Sequence, residues 1–596
     1  MANSGERPPE LAFALCVGVT GHRSEALAAA DPAALGRRVD ALLGEIEAAA
    51  LALLASERSC FSDEPPLMTL VSPLAGGADQ LVAARAIERG WDLQAVLPME
   101  RGAYRGSMPA DDARERDRLA ERSRCLLELP GDPARPLDAF VMAGRATVAH
   151  SDLLIALWDG QPARGRGGTA ETIERALVRG TPVIHLPVDP AEPVTILWSA
   201  FDPVVVTEVG DHGCGRPATP ESIAIMLTAL LAPPNAEIER SFVRRYLGER
   251  ARRLSLRVEY PLLMAVAGAR RIRRRDLSAK PRIASAQGEW AEYRAQCQSC
   301  HGVEAPLDRL QAAYEWSDRL ATHFAQTYRS SHVLNFVLAA LGAWIGLSGL
   351  VLDVAPRLLA ATETLVVTII IVNTVTGSRR CWHQRWLDYR QLAERLRPMR
   401  SLKLLGVAAP DAPGSAAEPV ARRWIDWYAG AMWRSMGCPA GRIAEADVTA
   451  LARAITEKEL DPQIAYNRRN ASEVRNLDRR LERLALALFV ATLLIALTSA
   501  VYPAALAGIG AWSTVLSAGL PVLGTAIFGI RVQGDFGALS ARSNATAAQL
   551  ERLADELRTA RSLPRAADLA EQAGRVMLAD LGEWRLVNEL HELSLA

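Results

Sequence analysis

Ala12-Phe13-Ala14-Leu15-Cys16-Val17-Gly18-Val19-Thr20-Gly21-His22-Arg23 decides the fold class of the N-terminal region. The apolar run is too short for a signal-peptide core or a membrane span, and it leads straight into a glycine turn. It therefore reads as a buried strand in the cytosol. Outward from it the same alternation repeats. Pro32–Leu54 reads as a helix, Leu67–Val71 as a strand, Gln80–Arg89 as a helix and Leu93–Leu97 as a strand. Asp111–Leu129 carries dense charge and then a short apolar run. Phe140–Ala149 is helical, Asp152–Trp158 a strand, Thr169–Arg179 a helix, Pro182–Pro187 a strand and Pro203–Val209 a possible edge strand. Strands alternating with helices predict a Rossmann-like α/β domain over residues 1–210, with a parallel sheet covered on both faces.

The second half changes character. Residues 211–330 read as a charged helical connector, in which Pro261–Ala269 is too short to span and reads as a helix packing on the core or touching the membrane surface. Val333–Leu352, Leu358–Val375, Leu484–Tyr502 and Gly508–Ile530 are long and apolar enough to cross a bilayer. They pair across the turns Asp353–Arg357 and Pro503–Ala507. The fold expected is thus an α/β domain plus an all-α region with four transmembrane helices in two hairpins. Residues 331–405 hold the first hairpin and its cytosolic helix, 406–460 a cytosolic linker and helix, and 461–596 the second hairpin with its tail.

Charge asymmetry gives the orientation. Arg329 precedes the first span, and Arg379, Arg380 and Arg385 follow the second. Six arginines from Arg468 to Arg483 precede the third, and Arg531 follows the fourth. The turns carry only Arg357, so both termini are expected in the cytoplasm. Arginine far outnumbers lysine, whose positions are Lys280, Lys403 and Lys458; this suggests a GC-rich bacterial genome and hence a bacterial inner membrane. The formal net charge is zero, so no global field draws the chain to nucleic acid, and no direct nucleic-acid binding is expected. The eight cysteines are scattered and form no disulfide framework. Each hairpin is followed by a similarly worded polar helix, Gln391–Arg397 and Leu550–Arg558, a weak internal repeat.

Candidate binding residues gather at predicted strand ends. The first strand ends in Gly18, Thr20, Gly21, His22 and Arg23; the second leads to Leu74, Gly76, Gly77 and Asp79; a later one ends in Asp159 and Gly160, followed by Gly167, Gly168, Thr169 and Glu171. Glycine loops opening onto helices expose N–H groups that hold phosphate, helped by the helix dipole. Thr20 and Thr169 add hydroxyl donors and Arg23 a fixed charge. No metal site and no certain cofactor is expected; the ligand class is a nucleotide or nucleotide-derived molecule.

These residues resemble the SLOG superfamily, nucleotide-binding Rossmann-like domains related to DprA and to the LOG cytokinin-activating enzymes. The resemblance covers roughly residues 11–190. It rests on Gly18–Arg23, Leu74–Gln80, Leu97-Pro98-Met99, and Ser151–Gly160 with Gly167-Gly168-Thr169. It implies nucleotide binding by these loops. LOG-type enzymes carry Pro-Gly-Gly-x-Gly-Thr-x-x-Glu, whose glutamate works on the ribosyl bond. Here Thr172 stands at that place and Glu171 one residue early, a rotation of about 100° on a helix. No catalytic residue is therefore assigned, and sensing is favoured over hydrolysis.

The second half resembles the SLATT family of two-span membrane effectors, on Gln463–Arg469, the arginine-rich helix into Leu484, the hairpin and the tail after Arg531; the first hairpin looks like a diverged copy. The resemblance implies ligand-driven oligomerisation, the partners expected being a nucleotide-type molecule, the bilayer and further copies of the chain, in a prokaryotic conflict system. Two alternatives stand beside it: a membrane-tethered enzyme that hydrolyses an N-glycosidic bond, and a non-gated scaffold. Glu363 and Asn373 are candidate pore residues, Glu363 either lining a pore with Thr362 and Thr364 or snorkelling to the interface. Cys297-Gln298-Ser299-Cys300-His301 spells a haem-attachment motif and reads as chance in a cytosolic segment. Trp424, Trp427, Tyr428 and Ala431 share a helical face that lies at the headgroup layer or packs between the hairpin units.

Overall fold

Uninterrupted apolar runs form the strands, because a strand covered on both faces needs no polar alternation. The computed structural model describes residues 7–28, 31–161, 166–198, 215–250, 257–271, 291, 295, 307–352, 354–410, 423–502 and 510–589. The expected strand at Pro203–Val209 and the Cys297–His301 motif lie outside them. Strands β1 (Ala14–Gly21), β2 (Leu67–Ser72), β3 (Asp92–Leu97), β4 (Cys125–Glu128), β5 (Leu153–Trp158) and β6 (Val183–Pro187) are parallel, and β7 (Thr195–Leu197) and β8 (Gly215–Pro217) antiparallel. The order is β8-β7-β6-β5-β1-β2-β3-β4-β9. The chain moves outward from β1 to β4 on one side and then restarts at β5 on the other side of β1. The topological switch point therefore lies between β1 and β5.

One face of the sheet is covered by α1 (Pro32–Ser56), α2 (Ala78–Glu88) and, beyond the hairpin of β7 and β8, α7 (Pro220–Leu231). Between β3 and β4 run α3 (Arg101–Arg105) and α4 (Ala110–Glu121). The other face takes α5 (Pro136–Ala149) and α6 (Thr169–Val178), and then a segment from far downstream. The chain passes through α8 (Glu237–Leu247) and α9 (Glu259–Val266) into the first hairpin. It then returns as α13 (Trp424–Ser435) and β9 (Gly441–Arg442), which pairs with β4 through Leu127↔Gly441. The region read as a linker thus completes the sheet. Trp427 donates from Nε1 to Leu231 O at 2.9 Å, and Tyr428 donates to Pro9 O at 3.0 Å. Trp424, Trp427, Tyr428 and Ala431 are buried, so the aromatic stripe lies neither at a headgroup layer nor between the hairpin units. It is wedged between the sheet and the helix that follows the first hairpin, where Trp424 Nε1 donates to Asp388.

The hairpins are built alike. In the first, α10 (Asp308–Ser348, 41 residues) leads to α11 (Pro356–Arg379), a left-handed Cys381 at φ 49°, and α12 (Trp382–Leu405). After α14 (Glu445–Ile455), a π turn at Thr456–Leu460 enters the second: α15 (Asp461–Val501, 41 residues), α16 (Gly510–Gly534), a left-handed Asp535 at φ 43°, and α17 (Phe536–Arg558). The tail helix α18 (Leu563–Glu589) packs on α12 and α17. Four of these helices are long and apolar enough to cross a membrane. Leu358 at 62% exposure and Leu493 at 65% show that the apolar faces of α11 and α15 have no protein cover among the described residues. Helices of a soluble bundle would bury such faces; lipid would satisfy them. The short helix α9 packs at the bundle foot, with Met264 against Val333, Leu477 and Ile530.

A buried lysine pins the returning segment. Lys403, near the end of α12, donates to Gly437 O at 2.8 Å, meets His150 Nδ1 at 3.2 Å, and lies 3.5 Å from the centre of the Trp433 ring. His150 Nε2 faces Gly406 O at 3.0 Å; an imidazole protonated on Nε2 satisfies both contacts. Burial holds the Lys403 amine at about 8 instead of 10.5 and pushes the neighbouring Cys16 and Cys125 thiols up to about 12, so those thiols are unreactive. Below pH 8 both folded and unfolded chains carry the lysine proton. Between about 8 and 10.5 the folded chain has released the proton that the unfolded chain still holds, so stability rises with pH in that window, by ~3 kcal/mol. Replacing Lys403 with Met is expected to remove that rise from the thermal unfolding midpoint of the purified chain. A variant that keeps the wild-type slope would contradict the assignment.

Candidate functional site

The C-terminal ends of β5, β1 and β2 lie side by side, and their chain reversals meet at one rim. His22 ties them together. Its backbone N–H donates to Leu157 O at 3.0 Å, its carbonyl accepts from Ala78 N–H at 3.0 Å, and its Nε2 lies 3.0 Å from Asp159 N and 3.1 Å from Asp159 Oδ1. Nε2 accepts from the Asp159 N–H in one tautomer and donates to its carboxylate in the other. Gly21 closes β1 beside Thr20, which pairs with Ala156. Gly18 differs from its expected role: it lies inside β1, paired with Val71 and Leu154, and Ser151 fills the space beside it.

The loop after β2 is strained and tightly packed. Leu74 adopts φ 56°, a conformation costing on the order of 1–3 kcal/mol for a side-chain-bearing residue. Ser72 Oγ accepts from its N–H, and Gln80 Nε2 donates to its carbonyl. Gly77, at φ 96°, lets the loop approach the His22 carbonyl; a Cβ there would stand 2.5 Å from that oxygen. The Asp112 carboxylate, which accepts from Ser24 Oγ at 2.9 Å, occupies the space beside Gly76. This part of the cradle is therefore filled by protein. Gly160, at φ 74°, instead has no neighbour within 4 Å of an added Cβ among the described residues.

At the head of α6, Gly168 is the N-cap and Thr169 the first helical residue. Glu171 folds back, and its Oε2 accepts from Gly167 N–H at 2.6 Å. Thr172, at the LOG-type glutamate's place, turns inward, its hydroxyl beside Gly144 of α5. The helical rotation expected from the sequence thus separates the two: Glu171 holds the loop and Thr172 packs.

Arg23 is exposed and lies 4.8 Å over the Phe140 ring, with no ion pair among the described residues. Behind it Asp79 is buried, accepting from Ala75 N–H at 3.2 Å, and burial pushes its carboxyl up to about 7. Tyr104 and Arg116, which carry no sequence signal, complete this shell. Tyr104 is fully buried, and its hydroxyl has no hydrogen-bond partner among the described residues. Burial and the Asp79 charge both raise its pKa. Arg116 lies 5.4 Å over its ring and donates to Arg101 O and Asp117. Perturbed groups beside a glycine rim mark a candidate binding site.

The two pore candidates lie apart. Asn373 is buried on the seam between α10 and α11, where its Nδ2 donates to Asn335 Oδ1 at 2.7 Å and Ser331 O at 3.2 Å and its Oδ1 accepts from Arg257. Its polar groups are thus engaged within the chain. The Glu363 carboxylate sits against Gly346 of α10, while Thr362 and Thr364 are exposed and bond back to their own helix.

A family model described as protein of unknown function (DUF4231) matches residues 312–402. The match begins in the second turn of α10 and runs through α11 into the end of α12, so it covers the first hairpin and none of the strands. No curated protein and no solved structure matches the chain.

The Asp79 shift has a definite pH signature. Between about 4 and 7 the folded chain keeps a proton that the unfolded chain has released, so this group costs stability as pH rises through that window, by ~4 kcal/mol. Above pH 7 the penalty is constant. Asp79→Asn retains an acceptor for Ala75 and is expected to raise the unfolding midpoint at pH 8 while leaving it nearly unchanged at pH 4. Equal effects at both pH values would show that burial does not perturb this carboxyl.

Proposed function

We propose that this chain is a membrane-anchored sensor and effector, in which a nucleotide-derived ligand at the switch-point rim shifts the arrangement of the spanning hairpins. The observation that carries the reading is the meeting of the β5, β1 and β2 reversals around His22, beside the unpaired Arg23 cation. Open α/β sheets bind ligands at this place, and a free guanidinium next to glycine loops suits a phosphate. Gly160 and Arg23 offer the approach, because the Gly76 side is filled by Asp112. The SLOG-like motifs support the ligand class. The match of residues 312–402 supports a SLATT-like reading of the first hairpin.

A continuous set of contacts joins the rim to the hairpins. Helix α6 starts at the candidate loop and ends at Arg179, which donates to Pro410 O and pairs with Glu571 of α18 at 3.5 Å. Glu571 also pairs with Arg145 of α5 at 3.3 Å and accepts from Ala409 N–H at 3.1 Å. Arg145 also pairs with Asp568 of α18 at 2.5 Å, so a movement at the head of α5 or α6 reaches the second hairpin's tail through two carboxylates, of which Glu571 is the one both helices share. In the assembly proposed, the termini are cytoplasmic, the membrane is a bacterial inner membrane, and several copies open a path for solute in a conflict response. Such gating needs a ligand with different affinity for the two arrangements.

Two experiments test this. The full chain in dye-loaded liposomes is expected to leak when the matching nucleotide is added. Arg23→Gln is expected to raise the nucleotide concentration needed by about 10- to 100-fold, the worth of a charged hydrogen bond. Silence of the wild-type protein across a broad nucleotide panel contradicts the reading, whereas turnover of NAD or a nucleoside monophosphate favours an enzyme. Glu571→Gln is expected to bind nucleotide as tightly as wild type, measured by thermal shift, while needing about tenfold more to leak, within the usual range of coupling energies. Loss of binding and leakage in parallel would remove Glu571 from the route.

A further inference from the structure

A shallow, open cleft with about 50 Å³ of enclosed space lies at the foot of the helical bundle, far in sequence from the glycine rim. Its walls come from α9, α10, α12, α16 and α17. Val333 and Ile530 line it; in sequence they open the first span and close the fourth. The cleft therefore sits where the spans give way to their cytosolic extensions.

Its chemistry is apolar with two cations. The Arg329 guanidinium lies 5.4 Å from the Tyr260 ring and 5.0 Å from the Trp386 ring. No carboxylate pairs with it among the described residues. Stacked guanidinium keeps its N–H edge free for an anion. Arg542 is held only at 3.8 Å from Asp535, and its buried Nε has no hydrogen-bond partner among the described residues. Asp535 also breaks the helix. Helix α17 starts at Phe536 in the cleft wall, and no side chain caps its first turn. Its free N–H groups add positive potential. Among the described residues Asp535 is the one carboxylate on the lining, too few to neutralise two arginines.

We infer that this cleft is a site for the phosphodiester headgroup of an anionic phospholipid. Arg329 and Arg542 hold the phosphate, and the aromatic and aliphatic walls take the glycerol and upper acyl chain. The depth chooses lipid over a soluble phosphate, because the cleft adjoins both span ends; basic pockets between spanning helices at this level commonly take such headgroups. A lipid here would bridge the first hairpin to the left-handed joint of the second. The inference rests on the four helices crossing a bilayer.

The test uses the full chain in an uncharged maltoside detergent. Native mass spectrometry should find one phosphatidylglycerol retained per chain under conditions that strip phosphatidylcholine. R329Q/R542Q should retain at least tenfold less, and R329K/R542K, which keeps the charge, an intermediate amount. Millimolar inorganic phosphate should leave the lipid in place. Equal retention of both lipids, undiminished retention by R329Q/R542Q, or displacement by inorganic phosphate would each overturn the inference. If R329Q/R542Q melts well below wild type, the single variant R542Q, at a partly exposed position, carries the comparison. Flotation of the reconstituted chain with phosphatidylcholine vesicles is a separate arm: failure to float rejects the membrane reading itself, whereas floating without lipid preference rejects only the cleft.

Discussion

A sheet with apolar residues on both faces must be covered on both, and here part of the second cover arrives some 400 residues after the first strand. Burying Trp424, Trp427 and Tyr428 stabilises the fold by several kcal/mol per aromatic side chain on the usual scale for large residues. Because α13 lies downstream of the first hairpin, that hairpin is a loop of chain held at both ends by the same sheet. Any rearrangement of the helical extensions of its spans must be accommodated by the sheet domain. The constraint follows from connectivity and burial alone.

Polar groups inside this junction define its geometry. Asp388 of α12 pairs with Arg423 and accepts from Trp424 Nε1. Arg397 reaches Glu394, Tyr314 and Gln463, joining α12 to both long helices. Arg400 and Ser401 meet Glu459 inside the π turn that leads into the second hairpin. Ion pairs of this kind add little net stability when fully desolvated, but removing one partner strands the other, so only a few relative placements of the helices are tolerated. A π turn beside such a network is a usual place for a helix to adjust.

Much of this was legible in the sequence. The strands Ala14–Gly21 and Leu153–Trp158 are unbroken apolar runs, and the spans are long, so both signals survive without tertiary context. The doubled hairpin was visible in the wording of the two following helices, and the left-handed joints at Cys381 and Asp535 show it again in the backbone. Other features were hidden for physical reasons. β4 is four residues long behind a charge-rich helix, and β9 is two residues long, too short for any period to register. The aromatic stripe announced a buried face but not its partner, since hydrophobic pattern is blind to sequence distance. Gly18 looked like a loop glycine because the run ends close by, yet the strand continues past it. Tyr104 and Arg116 reach the rim only through the packing of two short helices. Asn373 carried the signature of a span's polar residue, and the structure spends its bonds on a neighbouring helix.

Hydrogen exchange of the full chain, read by mass spectrometry, tests the central claim most directly. If α13 is part of the sheet's cover, its amides and those of β1 should share one slow opening and lose protection together as denaturant is added. An α13 that exchanges like an exposed connector while β1 stays protected would contradict the account.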